Sequence, residues 1–348
     1  MFTSPINYSK PKTTTTVLLF CNPINFALLN KLKELLADLE PAIADIINQP
    51  GSPRAVYEPI SYILSLGGKR IRPAMVLAAY KLYKEDYTPE VMQVAQAVEM
   101  FHNFTLLHDD IMDNSPLRRG QETVHIKWDD ATAILSGDLL QIEVYEKLAE
   151  VGNVEILKLF NAMGRELCEG QMNDMQFEQM DVVSNADYLD MIRQKTAVLL
   201  GFSLQAGALL GGASAQEGKQ LYDLGISIGL SFQLMDDYLD SFGDTAKVGK
   251  RIGGDILEKK KTYLWNEMWS RLDATAHQEI EAVYTKPEVE IIDFVKTKMD
   301  ESGAKDYTLE LAQKYTSKSL TALNSFDTPS GDKTYLEEIV KMLAGRES

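Results

Sequence analysis

Asp109, Asp110 and Asp113 follow Leu107-His108, and Asp236, Asp237 and Asp240 follow Leu234-Met235, so the spacing Asp-Asp-x-x-Asp occurs twice in the chain. An apolar stretch precedes each cluster, Phe104 to Leu107 in one case and Leu230 to Met235 in the other. A merely solvated acidic face would be polar on both sides. On a helix, residues four apart share a face, with roughly 5–6 Å between their Cβ atoms. Asp109 therefore stacks with Asp113 and Asp236 with Asp240, and such pairs repel unless a cation sits between them. Carboxylates without His or Cys suit hard ions, Mg²⁺ above all when phosphate oxygens complete its octahedron. Ca²⁺ is the weaker reading, because the Asp-x-Asp-x-Asp-Gly loop is missing.

Basic residues lie close in sequence to both clusters. Arg118 and Arg119 follow the first; Lys247, Lys250 and Arg251 follow the second, with Lys259-Lys260-Lys261 just beyond. Upstream stands Gly67-Gly68-Lys69-Arg70-Ile71-Arg72-Pro73. It is no P-loop, since the first glycine is missing and Arg70 replaces the hydroxyl residue. Any one of these cations alone reads as surface solvation. Together with the paired aspartates they read as a diphosphate site, where arginine forks and lysine point charges meet phosphate oxygens.

Long helices are the elements that must position these residues. No proline occurs between Pro116 and Pro287, and proline costs a helix interior ~3 kcal/mol. Apolar residues recur at helical spacing in Leu29, Leu32, Leu35, Leu36 and Leu39, and again in Val94, Val98, Phe101 and Thr105. Regular alternating strands bounded by turn dipeptides are not found. The chain reads as all-α, with helix breaks near 48–53, 113–120 and 211–214 and a polar stretch over 323–334 before a last amphipathic helix. The uncharged run from Ala197 to Gln216 is diluted by glycines, Ser203 and Gln205. It reads as a core helix that lets its neighbours approach closely, not as a membrane span. His108 reads as structural, and Met172, Met175 and Met180 as core packing.

The 348 residues carry Lys+Arg 35 against Asp+Glu 51, a net charge of -16. That balance argues against nucleic acid as a partner. Two cysteines, Cys21 and Cys168, exclude a disulfide framework and suit a reducing, cytoplasmic setting. Residues 1–24 read as a loosely ordered tail, because the apolar run Val17–Phe20 is too short for a signal peptide.

In these residues the sequence resembles the trans-isoprenyl diphosphate synthases, the farnesyl and geranylgeranyl diphosphate synthase family. The matching motifs are Gly67 to Pro73, Glu99-x-x-His102, the first aspartate cluster with Arg118-Arg119-Gly120, and Gly170-Gln171-x-x-Asp174. Lys195-Thr196, Phe232-Gln233 before the second cluster, and Gly249-Lys250 with Asp255 and Lys260 complete the set. The resemblance runs from about residue 25 to the C-terminus. It implies a single catalytic domain over 25–348, a bundle of long, mostly antiparallel helices around a deep cavity, and a homodimer. It further implies that Asp109, Asp113 and Asp236 bind three Mg²⁺, with Asp110, Asp237 and Asp240 in support. Arg118, Lys195, Gln233, Lys250 and Lys260 would hold an allylic diphosphate, with Gln171 and Thr196 in the same substrate set. Lys69, Arg72, His102 and Arg119 would hold isopentenyl diphosphate.

The reaction implied is ionisation of the allylic diphosphate to a carbocation, eased by Lys195-Thr196 and the Phe232 ring, followed by attack of the isopentenyl double bond. Product length in this family depends on bulk before the first aspartate cluster. Phe104 and Thr105 occupy that place, with Phe101 a turn deeper, and imply a fifteen- to twenty-carbon product. A terpene cyclase and a non-catalytic subunit of a heteromeric prenyl synthase are the competing readings. The Gly67 to Pro73 segment and the second full aspartate cluster argue against the cyclase, and the complete aspartate set argues against the subunit.

Overall fold

The computed structural model describes residues 33–37, 39–48, 51–243, 252–329 and 333–344. The expected tail 1–24 and Lys247, Lys250 and Arg251 lie outside them. The described chain is helical almost throughout: α1 Leu39–Ile47, α2 Arg54–Ser65, α3 Ile71–Lys81, α4 Pro89–Met112, α5 Val124–Lys127, α6 Asp130–Val151, α7 Val154–Glu178, α8 Asn185–Ile192, a π-helical segment Arg193–Ala197, α9 Val198–Gly211 and α10 Ala215–Phe242. There follow α11 Gly254–Leu257, α12 Tyr263–Arg271, α13 Ala274–Val283, α14 Glu288–Glu301, α15 Ala304–Ser325 and α16 Thr334–Ala344. A two-residue antiparallel ribbon pairs β1 Leu117–Arg118 with β2 Gln121–Glu122 directly after the first aspartate cluster. Strands this short leave no alternating pattern in a sequence.

Local chemistry explains where the long helices begin and end. Asp129 caps α6 by accepting from the Thr132 amide at 2.7 Å, and Asn153 caps α7 through the amides of Glu155 and Ile156. Ser214 and Glu217 form a reciprocal capping box at the start of α10. Gly152 and Gly212 close α6 and α9 in the left-handed conformation that glycine adopts without strain. Such short connections force α6 against α7, and α9 against α10, as antiparallel neighbours.

The centre is α9, uncharged and buried along nearly its whole length. It packs against α3, α4, α7 and α10. Small residues permit this: a Cβ on Gly225 would sit 2.6 Å from the Gly201 Cα, and one on Gly207 would collide with the Val76 carbonyl. The main core joins α1 to α4, α6, α7, α9 and the first part of α10, with Phe160, Phe202 and Tyr80 among its fully buried side chains. A second cluster gathers Tyr188, Ile192, Leu234 and Leu239, and a third surrounds Trp265, Met268 and Val295. Among the described residues no helix is long and apolar enough to cross a membrane.

One expectation is overturned. Met172, Met175 and Met180 do not pack in the core; they are 54%, 37% and 45% exposed. On α7 the inward stripe is instead Met163, Leu167, Gly170, Gln171 and Asp174, so the polar residues that look outward by type face in.

Candidate active site

The two aspartate clusters lie near the C-terminal ends of α4 and α10, and both of these helices lean on α9. Asp109 and Asp110 belong to the last turn of α4. Asp113 is its C-cap, its amide donating to the Asp109 carbonyl at 2.8 Å. Asp236, Asp237 and Asp240 lie inside α10, and Asp240 Oδ2 accepts from the Asp255 amide at 2.9 Å.

Between the clusters stand two lysines and Asp174. Lys195 Nζ donates to Asp174 Oδ2 at 2.5 Å. Burial disfavours a charged Lys260, yet Asp255, Asp174, Asp237 and Asp113 outweigh it and raise its pKa. Lys260 thus feels carboxylates of both clusters at once, and Lys195 acts on Asp109 of the first cluster. Burial drives the Asp109 carboxyl up to about 6, with Asp113 adding to the rise. Burial likewise takes Asp237 to about 8 and Asp255 to about 7, each pushed further by neighbouring aspartates. Glu178, one turn beyond Asp174, is raised by burial and by Asp174 and Asp113. Buried carboxylates outnumber the two lysines here, and such a surplus binds cations.

The donors are oxygens alone, which fits a hard divalent ion. Among the described residues no three His, Cys, Asp or Glu side chains converge on one point. An ion here would take one or two carboxylates and complete its shell with water and phosphate oxygens, the arrangement Mg²⁺ favours.

A π-helical turn presents Lys195 and Thr196. Its wider winding is accommodated by glycines on both neighbours. A Cβ on Gly170 of α7 would stand 2.5 Å from the Lys195 amide nitrogen, and one on Gly229 of α10 would stand 2.5 Å from the Ala197 Cα. Thr196 Oγ1 donates to Gln233 Oε1 at 3.2 Å, Gln233 Nε2 donates to Asp237 Oδ1 at 3.0 Å, and the Tyr188 hydroxyl donates to Asp237 Oδ2 at 2.5 Å. Asp237 is thereby fully engaged at 4% exposure. Gln171 meets Met112 through its amide, and its Oε1 has no hydrogen-bond partner among the described residues.

The second half of the site is rich in guanidinium groups. Arg72 Nη1 lies 3.1 Å from His102 Nε2. A guanidinium can only donate, so His102 accepts there and carries its proton on Nδ1. Burial holds the His102 pKa well below 6.5, with Arg72, Arg119, Arg118 and Arg70 adding to the fall; His102 is neutral at physiological pH. Burial and Arg119 bring Arg72 down to about 10 against the pull of Glu99. Arg119, in the left-handed conformation at φ 54, rests its guanidinium against Gly68, where a Cβ would come within 2.9 Å. Lys69 is exposed.

Arg118 and Asp110 occupy each other. Arg118 Nε donates to both carboxylate oxygens at 2.9 Å and Nη2 to Oδ1 at 2.6 Å, with Asp110 only 2% exposed. This internal pair fixes Arg118 beside the first aspartate cluster. Phe104 meets Phe101 at a tilt with centroids 5.5 Å apart and the His108 ring edge-on at 4.8 Å, while Phe101 meets Phe160 edge-on at 4.9 Å. Thr105 is buried and donates to the His102 carbonyl. His108 packs on α6, its Nε2 3.2 Å from the Ile134 carbonyl. Tyr188, Glu178 and the Arg70–Glu99 pair are site elements that sequence reasoning did not assign. A carboxylate one helical turn past Asp174 could have flagged Glu178, whereas nothing local marks Tyr188.

The sequence profile of the polyprenyl synthetase family matches residues 53–299. A geranylgeranyl diphosphate synthase of Methanosarcina mazei is 35% identical over 329 residues, which cover 92% of this chain and 98% of that one. Among solved structures, the geranylgeranyl pyrophosphate synthetase of Pyrococcus horikoshii superposes with a TM-score of 0.85 at 31% identity, covering 93% of this chain and 99% of that one. A polyprenyl synthase of Caulobacter crescentus, solved with calcium and isoprenyl diphosphate, superposes with a TM-score of 0.82 at 30% identity over 92% of this chain and 98% of that one. With its fold shared across nearly the full length of these proteins and the family profile matched over most of its residues, the chain belongs to the polyprenyl synthetase family of prenyltransferases.

Proposed function

We propose that this chain is a Mg²⁺-dependent short-chain trans-prenyltransferase that joins isopentenyl diphosphate head-to-tail to an allylic diphosphate, giving a fifteen- to twenty-carbon product. The observation that supports this reading is two groups of charged side chains on neighbouring parts of the fold, each suited to one diphosphate. One is the acidic pocket bridged by Lys195 and Lys260, suited to a diphosphate that brings its own divalent ions. The other is the pocket of Arg72, Arg119 and His102, suited to a diphosphate without them. Two diphosphates in one reaction is what chain elongation requires. The names of the relatives favour twenty carbons.

When bound, Mg²⁺ supplies Lewis-acid neutralisation of the leaving diphosphate. Asp109, Asp113, Asp236 and Asp240 would hold it, three ions in all by analogy with the family. Asp237, gripped by Tyr188 and Gln233, anchors α10 beneath them, and Asp110 aims Arg118. Lys195, Lys260, Arg118 and Lys250 stabilise charge on the departing group, each ~1.4 kcal/mol of differential stabilisation being worth tenfold in rate. Thr196 and the ring of Phe232 ease the positive charge on the allylic carbon, while Gln233 and Gln171 help hold the allylic substrate. Lys69, Arg72, His102 and Arg119 hold the second diphosphate. The proton lost after the double bond attacks passes to the departing diphosphate, so no side-chain base is needed. Phe104 and Thr105, backed by Phe101, close the floor under the growing chain.

The catalytic domain spans 25–348 and works as a homodimer in the cytoplasm. Support for the dimer comes from α6, which exposes Ile134, Leu135, Ile142 and Tyr145 on one face at 44%, 60%, 57% and 38%.

The test is turnover with dimethylallyl, geranyl or farnesyl diphosphate, each with and without isopentenyl diphosphate, followed by chromatography of the products. Diphosphate release that needs both substrates and Mg²⁺ is the expected result. Release from the allylic substrate alone, with a cyclic hydrocarbon formed, identifies a cyclase. Absence of turnover in every combination identifies a non-catalytic subunit.

A further inference from the structure

Arg70 is the residue of the Gly67 to Pro73 segment whose guanidinium pairs with a buried carboxylate, and its setting is costly. Its backbone is left-handed at φ 48, ψ 37, directly before α3, a conformation that penalises a side chain with a Cβ. Its guanidinium is buried, with the side chain only 4% exposed. Nη1 donates to Glu99 Oε1 at 2.5 Å and Nη2 to the Leu64 carbonyl at 2.9 Å. The same Glu99 oxygen accepts from Asn103 Nδ2 at 3.0 Å. Arg70 therefore joins the end of α2, the start of α3 and the middle of α4.

Two of the elements so joined, α3 and α4, carry a group of the guanidinium-rich cluster. Two residues after Arg70 comes Arg72, and one turn after Glu99 comes His102, the pair in contact at 3.1 Å. Gly68, two residues before Arg70, seats Arg119. Charge runs the same way: Glu99 is the carboxylate that acts on both Arg72 and Arg119, and it offsets part of the mutual repulsion of three guanidinium groups packed together.

We propose that Arg70, through its buried ion pair with Glu99, is a positioning residue that sets the spacing and charge of the isopentenyl diphosphate half-site without touching the diphosphate. The inference rests on the two-diphosphate reading above. A buried ion pair can equally be a structural fixture, and replacing one by apolar side chains of similar volume is often neutral or stabilising. That gives a clean separation of roles. The variants are Arg70→Lys, Glu99→Gln and the double variant Arg70→Met with Glu99→Leu, assayed as full-length enzyme for KM toward each substrate and for Tm.

A positioning role predicts a rise of about tenfold or more in KM for isopentenyl diphosphate in all three, with KM for the allylic substrate within about twofold of the parent. In the double variant Tm recovers to the parent value while the KM stays high. A double variant with both Tm and KM at parental values, or with both KM values raised together, overturns the proposal. The parent enzyme is the control for the reading beneath it: if the parent does not turn over the two substrates together, the functional reading has failed, whereas a parental KM in active variants condemns only the role of Arg70.

Discussion

Burial raises the Asp109 carboxyl from 3.8 to about 6, while Lys195 and Arg118 pull it down and Asp113 and Asp110 push it up. A carboxyl whose folded pKa exceeds its unfolded one favours the fold below about pH 4, and that contribution is lost as pH rises to about 6. At pH 7.5 an ionised Asp109 in a metal-free protein is therefore a burden, of order 3 kcal/mol for a shift of roughly two units. Asp109→Asn should raise Tm by several degrees in EDTA at pH 7.5, with the gain shrinking toward pH 5, while turnover falls by about a thousandfold. Scanning calorimetry beside a steady-state assay checks both, and a variant less stable than the parent at pH 7.5 contradicts the burial argument. The same linkage has the apparent Mg²⁺ affinity falling as pH drops through about 6. Phe104 makes a different prediction at this scale. Its ring closes a stack that continues through Phe101 to Phe160 and Phe202, so Phe104→Ala opens the floor while the deeper rings remain. Chromatography should show products longer by at least one five-carbon unit; an unchanged product places the floor elsewhere.

At the scale of elements, the π-helical segment from Arg193 to Ala197 is the least forgiving part of the fold. An alanine in a helix interior ordinarily gains ~1 kcal/mol over glycine. At Gly170 the sign should reverse, because the new Cβ meets the Lys195 amide at 2.5 Å and the clash lies against backbone. Gly170→Ala should lower Tm, with overpacking of ~1–3 kcal/mol, and cut kcat about a hundredfold by displacing Lys195 and Thr196; a Tm above the parent value would refute the tight fit. This element also marks the limit of what a sequence reveals. Proline absence and clustered breakers place helix ends well: the break near 48–53 separates Ile47 from Arg54, that near 211–214 separates Gly211 from Ala215, and the polar stretch over 323–334 falls between Ser325 and Thr334. A π turn has no compositional signature, so Lys195-Thr196 could be read only through family resemblance. The Arg70–Glu99 pair was hidden for a related reason, since it depends on a left-handed backbone that arginine rarely adopts. Met172, Met175 and Met180 misled because residue type says little about which face of α7 turns inward when the inward face must carry Gln171 and Asp174.

For the whole molecule, the exposed apolar face of α6 and the net charge of -16 pull in opposite directions. Ile134, Leu135, Ile142 and Tyr145 fall within about a third of the helix circumference at 3.6 residues per turn, so two copies can bury them against each other about a two-fold axis, each patch meeting itself. Charge on the two copies opposes that contact, and salt screens it, with a Debye length of about 8 Å at physiological ionic strength. Association should therefore strengthen with salt, opposite to an interface held by ion pairs. Leu135→Asp combined with Ile142→Asp adds two charges to each copy within the patch and removes its two most exposed apolar side chains. Sedimentation should find the parent chain as a dimer and the variant as a monomer with the same helical content. Turnover should fall with it, because α6 packs along α4, the helix that ends in Asp109 and Asp110, and His108 rests directly on Gly137 of α6. A variant that stays dimeric at low concentration would move the interface off this face, and a monomer with full activity would show that α4 needs no partner to hold its aspartates in place.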